Sequence, residues 1–211
     1  MTDGQSLFIR ITLAIIVNKE KKRRNIAFAC KDLLLENGIN ELTIAQIAKT
    51  AGVGKGTIYE YFENKEDIVF EIITVFIAEY EHRLLEIVDE KRSTKEKLFH
   101  FFYIIHGDEE GHKQLRIYRE FLAISMTHGT REIMDFNRKC RDLFLDILSQ
   151  IIEKGVENGE IPEQAHDMKS ALLTFSLGLV VDTHTIGLDP KEEINGLLNT
   201  LFNFIEMKEK R

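Results

Sequence analysis

The stretch from Thr43 to Ile68, TIAQIAKTAGVGKGTIYEYFENKEDI, constrains this chain more than any other. Thr43 and Gln46 have the three-residue spacing of a capping box, in which hydroxyl and amide side chains each satisfy an orphan backbone N–H at a helix start. Ile44, Ile47 and Ala48 then form the inner face of a short helix, and Ala48 is small where a second helix must cross closely. Four residues on, Gly52 stands where a tight turn needs positive φ. Val53 and Ile58 are apolar plugs that pin the two helices at a steep angle. Lys55, Gly56, Thr57 and Tyr59 are left pointing outward. The spacing predicts a helix-turn-helix whose second helix offers a small, polar, basic edge to a DNA major groove.

Taken whole, the stretch resembles the TetR family of bacterial transcriptional regulators. The residues that carry the resemblance are Thr43, Ile47-Ala48, Ala51-Gly52-Val53, Lys55-Gly56-Thr57, Tyr59, Tyr61-Phe62, Lys65 and Ile68, within roughly residues 24–70. Beyond them only helical pattern and length agree. The resemblance implies that Thr43 touches a phosphate and that Lys55, Gly56, Thr57 and Tyr59 form the recognition edge. It also implies that Tyr61 and Phe62 form the hinge onto the next helix, with Tyr61 at the DNA side, and that Lys65 clamps a phosphate. A helix N-terminus at Lys65 would itself attract an anion. Gly54 departs from the family, which often has serine or threonine there as N-cap; glycine weakens a cap by only about a few tenths of a kcal/mol.

The rest of the chain reads as an all-α protein in three segments: an N-terminal extension of uncertain structure over 1–20, the helix-turn-helix domain over 21–66, and a helical body over 67–211. Ile26, Ala29, Cys30, Leu33 and Leu34 recur at helical spacing, and Asn37-Gly38 closes that helix. Asn64 is an N-cap with Glu66 and Asp67 in the first turn. Ser93 and Glu96 make a second capping box, opening a helix to about His106. After a loop from His106 to Gly111, helices are predicted over Lys113–Thr127, Arg131–Glu157 and Glu163–Thr185. Asp189-Pro190 starts a last helix reaching about Lys208.

Charge and cysteine usage narrow the function classes. The formal net charge is −7, but Lys19 to Glu66 carries nine Lys/Arg against seven Asp/Glu, and the chain from Asp67 onward carries −9. A basic head on an acidic body fits docking on DNA by one end. Cys30 and Cys140 stand apart, outside any C-x-x-C motif, so they read as small core residues in a reducing cytoplasm. The apolar run Leu7–Val17 contains Arg10 and is too short to span a membrane. It has no basic flank before it and no small-residue cleavage site after it. It reads as an extra helix, an arm, or sequence upstream of the true start. Gly54-Lys55-Gly56-Thr57 lacks the spacing of a phosphate loop. His100, His106 and His112 lack the i, i+4 spacing of a helical metal pair. No metal or other cofactor is called for, and no nucleophile–base pairing suggests an enzyme.

One helix-turn-helix reads few base pairs, so specificity requires two, held roughly 34–36 Å apart on a palindromic, double-stranded operator. A homodimer is therefore expected. The last two helices carry apolar stripes, with Leu172 and Leu179 on one and Leu197 and Leu201 on the other, and small Ser176 and Gly178 between them. In the family these two helices pair across a two-fold axis. Family members also enclose a small-molecule cavity in the body. Phe102, Tyr118, Phe121, Phe144 and Phe175 are the candidate lining for an apolar or aromatic effector, and His106 and Arg119 are the candidate polar anchors. The helix beginning at Lys65 would act as lever between effector and DNA head. The resulting expectation is a repressor released by its ligand. The alternative is a DNA-binding protein with no small ligand that acts through a protein partner.

Overall fold

The computed structural model describes residues 19–107 and 109–209, and every regular element in it is helical. In chain order these are α1 (19–29), α2 (Lys31–Glu41), α3 (Ile44–Thr50), α4 (Lys55–Tyr61), α5 (Lys65–Asp89), α6 (Thr94–Tyr103), α7 (Glu109–Thr127), α8 (Arg131–Glu157), α9 (Lys169–Thr185) and α10 (Pro190–Glu209). A 3₁₀ turn, Glu163–Met168, leads into α9. The run Leu7–Val17 lies outside the described residues.

The start and stop signals act as their chemistry requires. Ser93 accepts from the Glu96 amide while the Glu96 carboxylate accepts from the Ser93 amide, and Thr43 and Gln46 do the same at α3. Asn64 Oδ1 accepts from the Asp67 amide at 2.8 Å. Asp189 Oδ1 accepts from the Lys191 amide at 2.8 Å, with Pro190 in the first turn. Gly38 has φ 80° and ψ 173°, a conformation open to glycine, and breaks the helical run inside α2.

Four boundaries differ from the sequence expectation. The first helix is interrupted at Cys30, whose φ of −98° and ψ of 4° separate α1 from α2. Its buried thiol donates to the Ile47 carbonyl at 3.6 Å. α7 begins at Glu109 rather than Lys113, because two glutamates occupy its first turn, where the dipole favours acid, and Glu109 pairs with Lys113 at 2.9 Å. α6 correspondingly ends at Tyr103. The helix expected from Glu163 opens as a 3₁₀ turn before becoming α-helical at Lys169.

The chain divides into two compact units between Phe76 and Ile77, within α5. In the first, Ile26, Leu34, Ile47, Ile58, Phe62 and Ile68 are buried. In the second, α6 packs against α8 and α10, and α8 against α9. Leu98, Phe102, Leu148, Ile151, Leu172 and Leu198 belong to its central cluster. The carbonyl end of α5 is held there by two ammonium groups: Lys97 Nζ donates to the Val88 carbonyl at 2.8 Å and Lys154 Nζ at 3.3 Å.

A side chain at position 38 is incompatible with the backbone the turn needs. Gly38→Ala is expected to lower the free energy of unfolding by about 1–3 kcal/mol. Urea unfolding checks this, and an unchanged midpoint contradicts it.

Candidate nucleic-acid interface and effector region

The candidate DNA-facing surface is built from two short helices and the turn between them. The Ala51 amide donates to the Ile47 carbonyl at 2.9 Å, Gly52 takes φ 65°, and the Val53 amide returns to the Ala48 carbonyl at 2.9 Å. This folds α4 back over α3, with Ile47 and Ile58 fully buried. Lys55, Gly56 and Tyr59 are exposed, Tyr59 at 60%, while Thr57 is half-buried. A Cβ added at Gly54 or Gly56 would meet nothing within 4 Å. Gly54 caps α4 without a side-chain hydrogen bond. Thr43 is exposed, and its hydroxyl donates to Gln46 Oε1 at 2.6 Å. Lys65 is half-buried, and its Nζ donates to the Asn40 carbonyl at 3.4 Å. Tyr61 is half-buried and Phe62 buried.

One residue that organises this surface escaped the sequence reading. Arg23 on α1 pairs with Asp67 through two bonds, Nη2 to Oδ1 at 2.8 Å and Nη1 to Oδ2 at 3.2 Å. Its Nε reaches Glu71 at 3.3 Å, Nη1 also donates to the Tyr61 carbonyl, and the guanidinium lies 4.6 Å from the Phe62 ring centroid. The hydrogen bond to Asp67 raises the Arg23 pKa above its ordinary value. A single guanidinium therefore ties α1 to the last turn of α4 and the first turns of α5. The signal was present: Asp67 and Glu71 stand at i, i+4, and Arg23 lies in the basic cluster KEKKRR over 19–24.

The effector candidates fall into separate groups. Phe102 is buried and meets the Phe175 ring edge-on at 5.6 Å, and Phe144 meets Phe101 at 6.4 Å, all in or against the central cluster. Phe121 is buried against Phe136 at 5.6 Å. Tyr118 is pushed up to about 12, first by burial and then by Cys140 on α8. Burial pushes both thiols up to about 11, so neither is a ready thiolate. His106 is 5% exposed, and among the described residues its Nε2 has no hydrogen-bond partner. Among the described residues, no group of three His, Cys, Asp or Glu side chains is placed to hold a metal.

Of the dimerisation candidates, Leu172 and Leu179 are buried in the central cluster, at 5% and 3% exposure. Leu197 and Leu201 are half-buried against the same cluster. Among the described residues, the large apolar side chains these helices expose include Leu177, Val181 and Phe204.

Residues 29–72 match the family described as bacterial regulatory proteins, tetR family. The fatty acid metabolism regulator protein of Bacillus subtilis is 29% identical over 197 residues, covering 89% of this chain and 95% of that protein. The HTH-type transcriptional repressor KstR2 of Mycobacterium tuberculosis is 30% identical over 125 residues, 58% of this chain and 62% of its own. The crystal structure of the transcriptional regulator FadR from Bacillus subtilis in complex with stearoyl-CoA superposes with a TM-score of 0.60 at 27% identity, covering 84% of this chain and 96% of that one. The match places the head of the chain, residues 29–72, with the TetR regulators. The chain is a DNA-binding transcriptional regulator, and its relatives are regulators rather than enzymes. Among the described residues, no helix is long and apolar enough to cross a membrane.

Burial lowers His106 from 6.5 to about 4, with the charges of His112 and Arg119 adding to the effect. Between those values the unfolded chain binds more protons than the folded one. The contribution is therefore complete above about pH 6.5 and is lost as pH falls toward 4. Between pH 7 and pH 5 the loss amounts to up to about 2 kcal/mol. His106→Leu removes this titration, so urea unfolding should show a shallower fall in stability for the variant than for the wild type. Parallel pH profiles would contradict the assignment.

Proposed function

We propose that this protein is a homodimeric repressor that binds a palindromic operator in the cytoplasm and is released by a long-chain fatty acyl ligand. The likeness to the Bacillus subtilis fatty acid metabolism regulator over nearly its full length carries this reading. The similarity to a regulator crystallised with stearoyl-CoA supports it. At the DNA, Lys55, Thr57 and Tyr59 approach base edges and backbone, and Thr43, Tyr61 and Lys65 approach phosphates. Gly56 lets the DNA backbone come close. An exposed helical glycine costs about 1 kcal/mol relative to alanine, and nothing inside the protein occupies the space a Cβ would take.

Two recognition helices require two chains. The outer faces of α9 and α10, with Leu177, Val181 and Phe204 exposed and open space beside Gly178 and Gly196, supply the surface for an isologous contact. Release requires a ligand that prefers the DNA-incompetent state, since equal affinity for both states shifts nothing. α5 runs from Lys65 to Asp89 across the boundary between the two units.

Two measurements check the reading. An operator selected from random duplexes should be released by stearoyl-CoA in a mobility-shift titration; insensitivity to every acyl compound would remove the proposed effector. Gly56→Ala should raise stability by about 0.5–1 kcal/mol while weakening operator binding. Undiminished affinity would show that DNA does not use the space beside Gly56.

A further inference from the structure

Glu60 is the sixth of the seven residues of α4 and is exposed, yet nothing local accounts for it. An acid in the last turn of a helix opposes the dipole, and the last turn of α4 carries no basic residue to offset it. Pairing along the helix surface would need a cation three or four positions away. Those positions hold Gly56, Thr57, Glu63 and Asn64. Among the described residues no cation or hydrogen-bond donor meets the carboxylate.

The buried side of the helix fixes which way Glu60 faces. Ile58 is fully buried, and Gly56 and Glu60 each stand two positions from it, about 200° round the helix axis. The two therefore share the face turned away from the core of the head. That face is open, since a Cβ added at Gly56 would meet nothing within 4 Å. A turn of about 5.4 Å separates the two residues, enough for a strand whose backbone passes Gly56 to present a base edge at Glu60. The face that enters the major groove thus carries a carboxylate among phosphates. Such a group lowers affinity for every sequence except one that gives it a hydrogen bond. An ionised carboxylate accepts and cannot donate. In the major groove cytosine offers an N4 amino donor, guanine offers two acceptors, thymine an acceptor and a methyl group, and adenine sets its N7 acceptor beside its amino group.

We propose that Glu60 reads one cytosine in each operator half-site, accepting a hydrogen bond from its N4 amino group and rejecting guanine and thymine there by repulsion. The inference rests on the DNA-binding reading above and adds to it a base and the residue that selects it. Lys55 and Lys65 attract phosphates of any sequence; Glu60 offsets part of that attraction wherever the amino group is missing.

The test uses the full chain. An operator is selected from random duplexes with the wild type, and affinity is then measured with each base of the half-site replaced in turn. One cytosine should be found whose replacement costs the wild type about 5- to 100-fold. Glu60→Ala should bind all four bases at that position within about threefold while holding its preferences elsewhere. Glu60→Gln, which donates as well as accepts, should prefer adenine there. Thermal melting confirms that each variant is folded. A folded Glu60→Ala that keeps every base preference of the wild type would overturn the assignment, as would one that tightens operator and random duplex by the same factor with preferences unchanged. Both results leave the DNA-binding reading standing. A wild type that selects no duplex would overturn both.

Discussion

The DNA-binding surface depends on the ion pair between Arg23 and Asp67. α4 is seven residues long, two turns, and an isolated helix of that length is not stable in water. Its N-cap is a glycine with no side-chain bond. Its position therefore comes from outside: Ile58 is plugged into the core at one face, and the Tyr61 carbonyl is held at the far end by the same guanidinium that grips Asp67 and Glu71. Asp67 is held in turn by Asn64 and accepts from the Glu63 amide at 3.2 Å. The chain leaving the recognition helix is thus threaded through one polar knot before α5 begins.

The second unit is organised on the opposite principle. Its centre is apolar and held by interdigitating side chains of α6, α8, α9 and α10. At the end of α5, Lys97 and Lys154 converge on one carbonyl and Lys154 also meets Asp89 at 2.6 Å. Cations at a helix C-terminus satisfy the orphan carbonyls and oppose the dipole. Against that background His106 and Arg119 stand out, because they are polar groups withdrawn from water without the partners that Lys97 and Lys154 have.

Much of this was legible in the sequence because it is local. Capping boxes at Thr43 and Ser93, the Asn64 cap, the glycine breaks at Gly38 and Gly52 and the full extent of α8 all depend on residues within four positions of one another. What escaped is set by distant partners. Arg23 and Asp67 are separated by 44 positions, and each had a sufficient local explanation, bulk basic charge for one and a favourable dipole for the other. The stripes on the last two helices were visible, yet periodicity cannot say which apolar face meets its own core. Leu172 and Leu179 are buried, and Leu177 and Val181 on the same helix are exposed. The orphan Nε2 of His106 had no sequence signature, since the absence of a partner is a property of the folded surroundings.

Arg23 holds α4, the candidate recognition helix, in place. Hydrogen exchange of the α4 amides in Arg23→Gln against the wild type tests it most directly, with the α8 amides as internal reference. Loss of a partly exposed bidentate pair and a carbonyl contact is worth about 1–3 kcal/mol. The account predicts that α4 amides exchange about 10- to 100-fold faster in the variant, that α8 amides are unaffected, and that operator affinity falls in parallel. Unchanged α4 protection in a folded Arg23→Gln protein would contradict it.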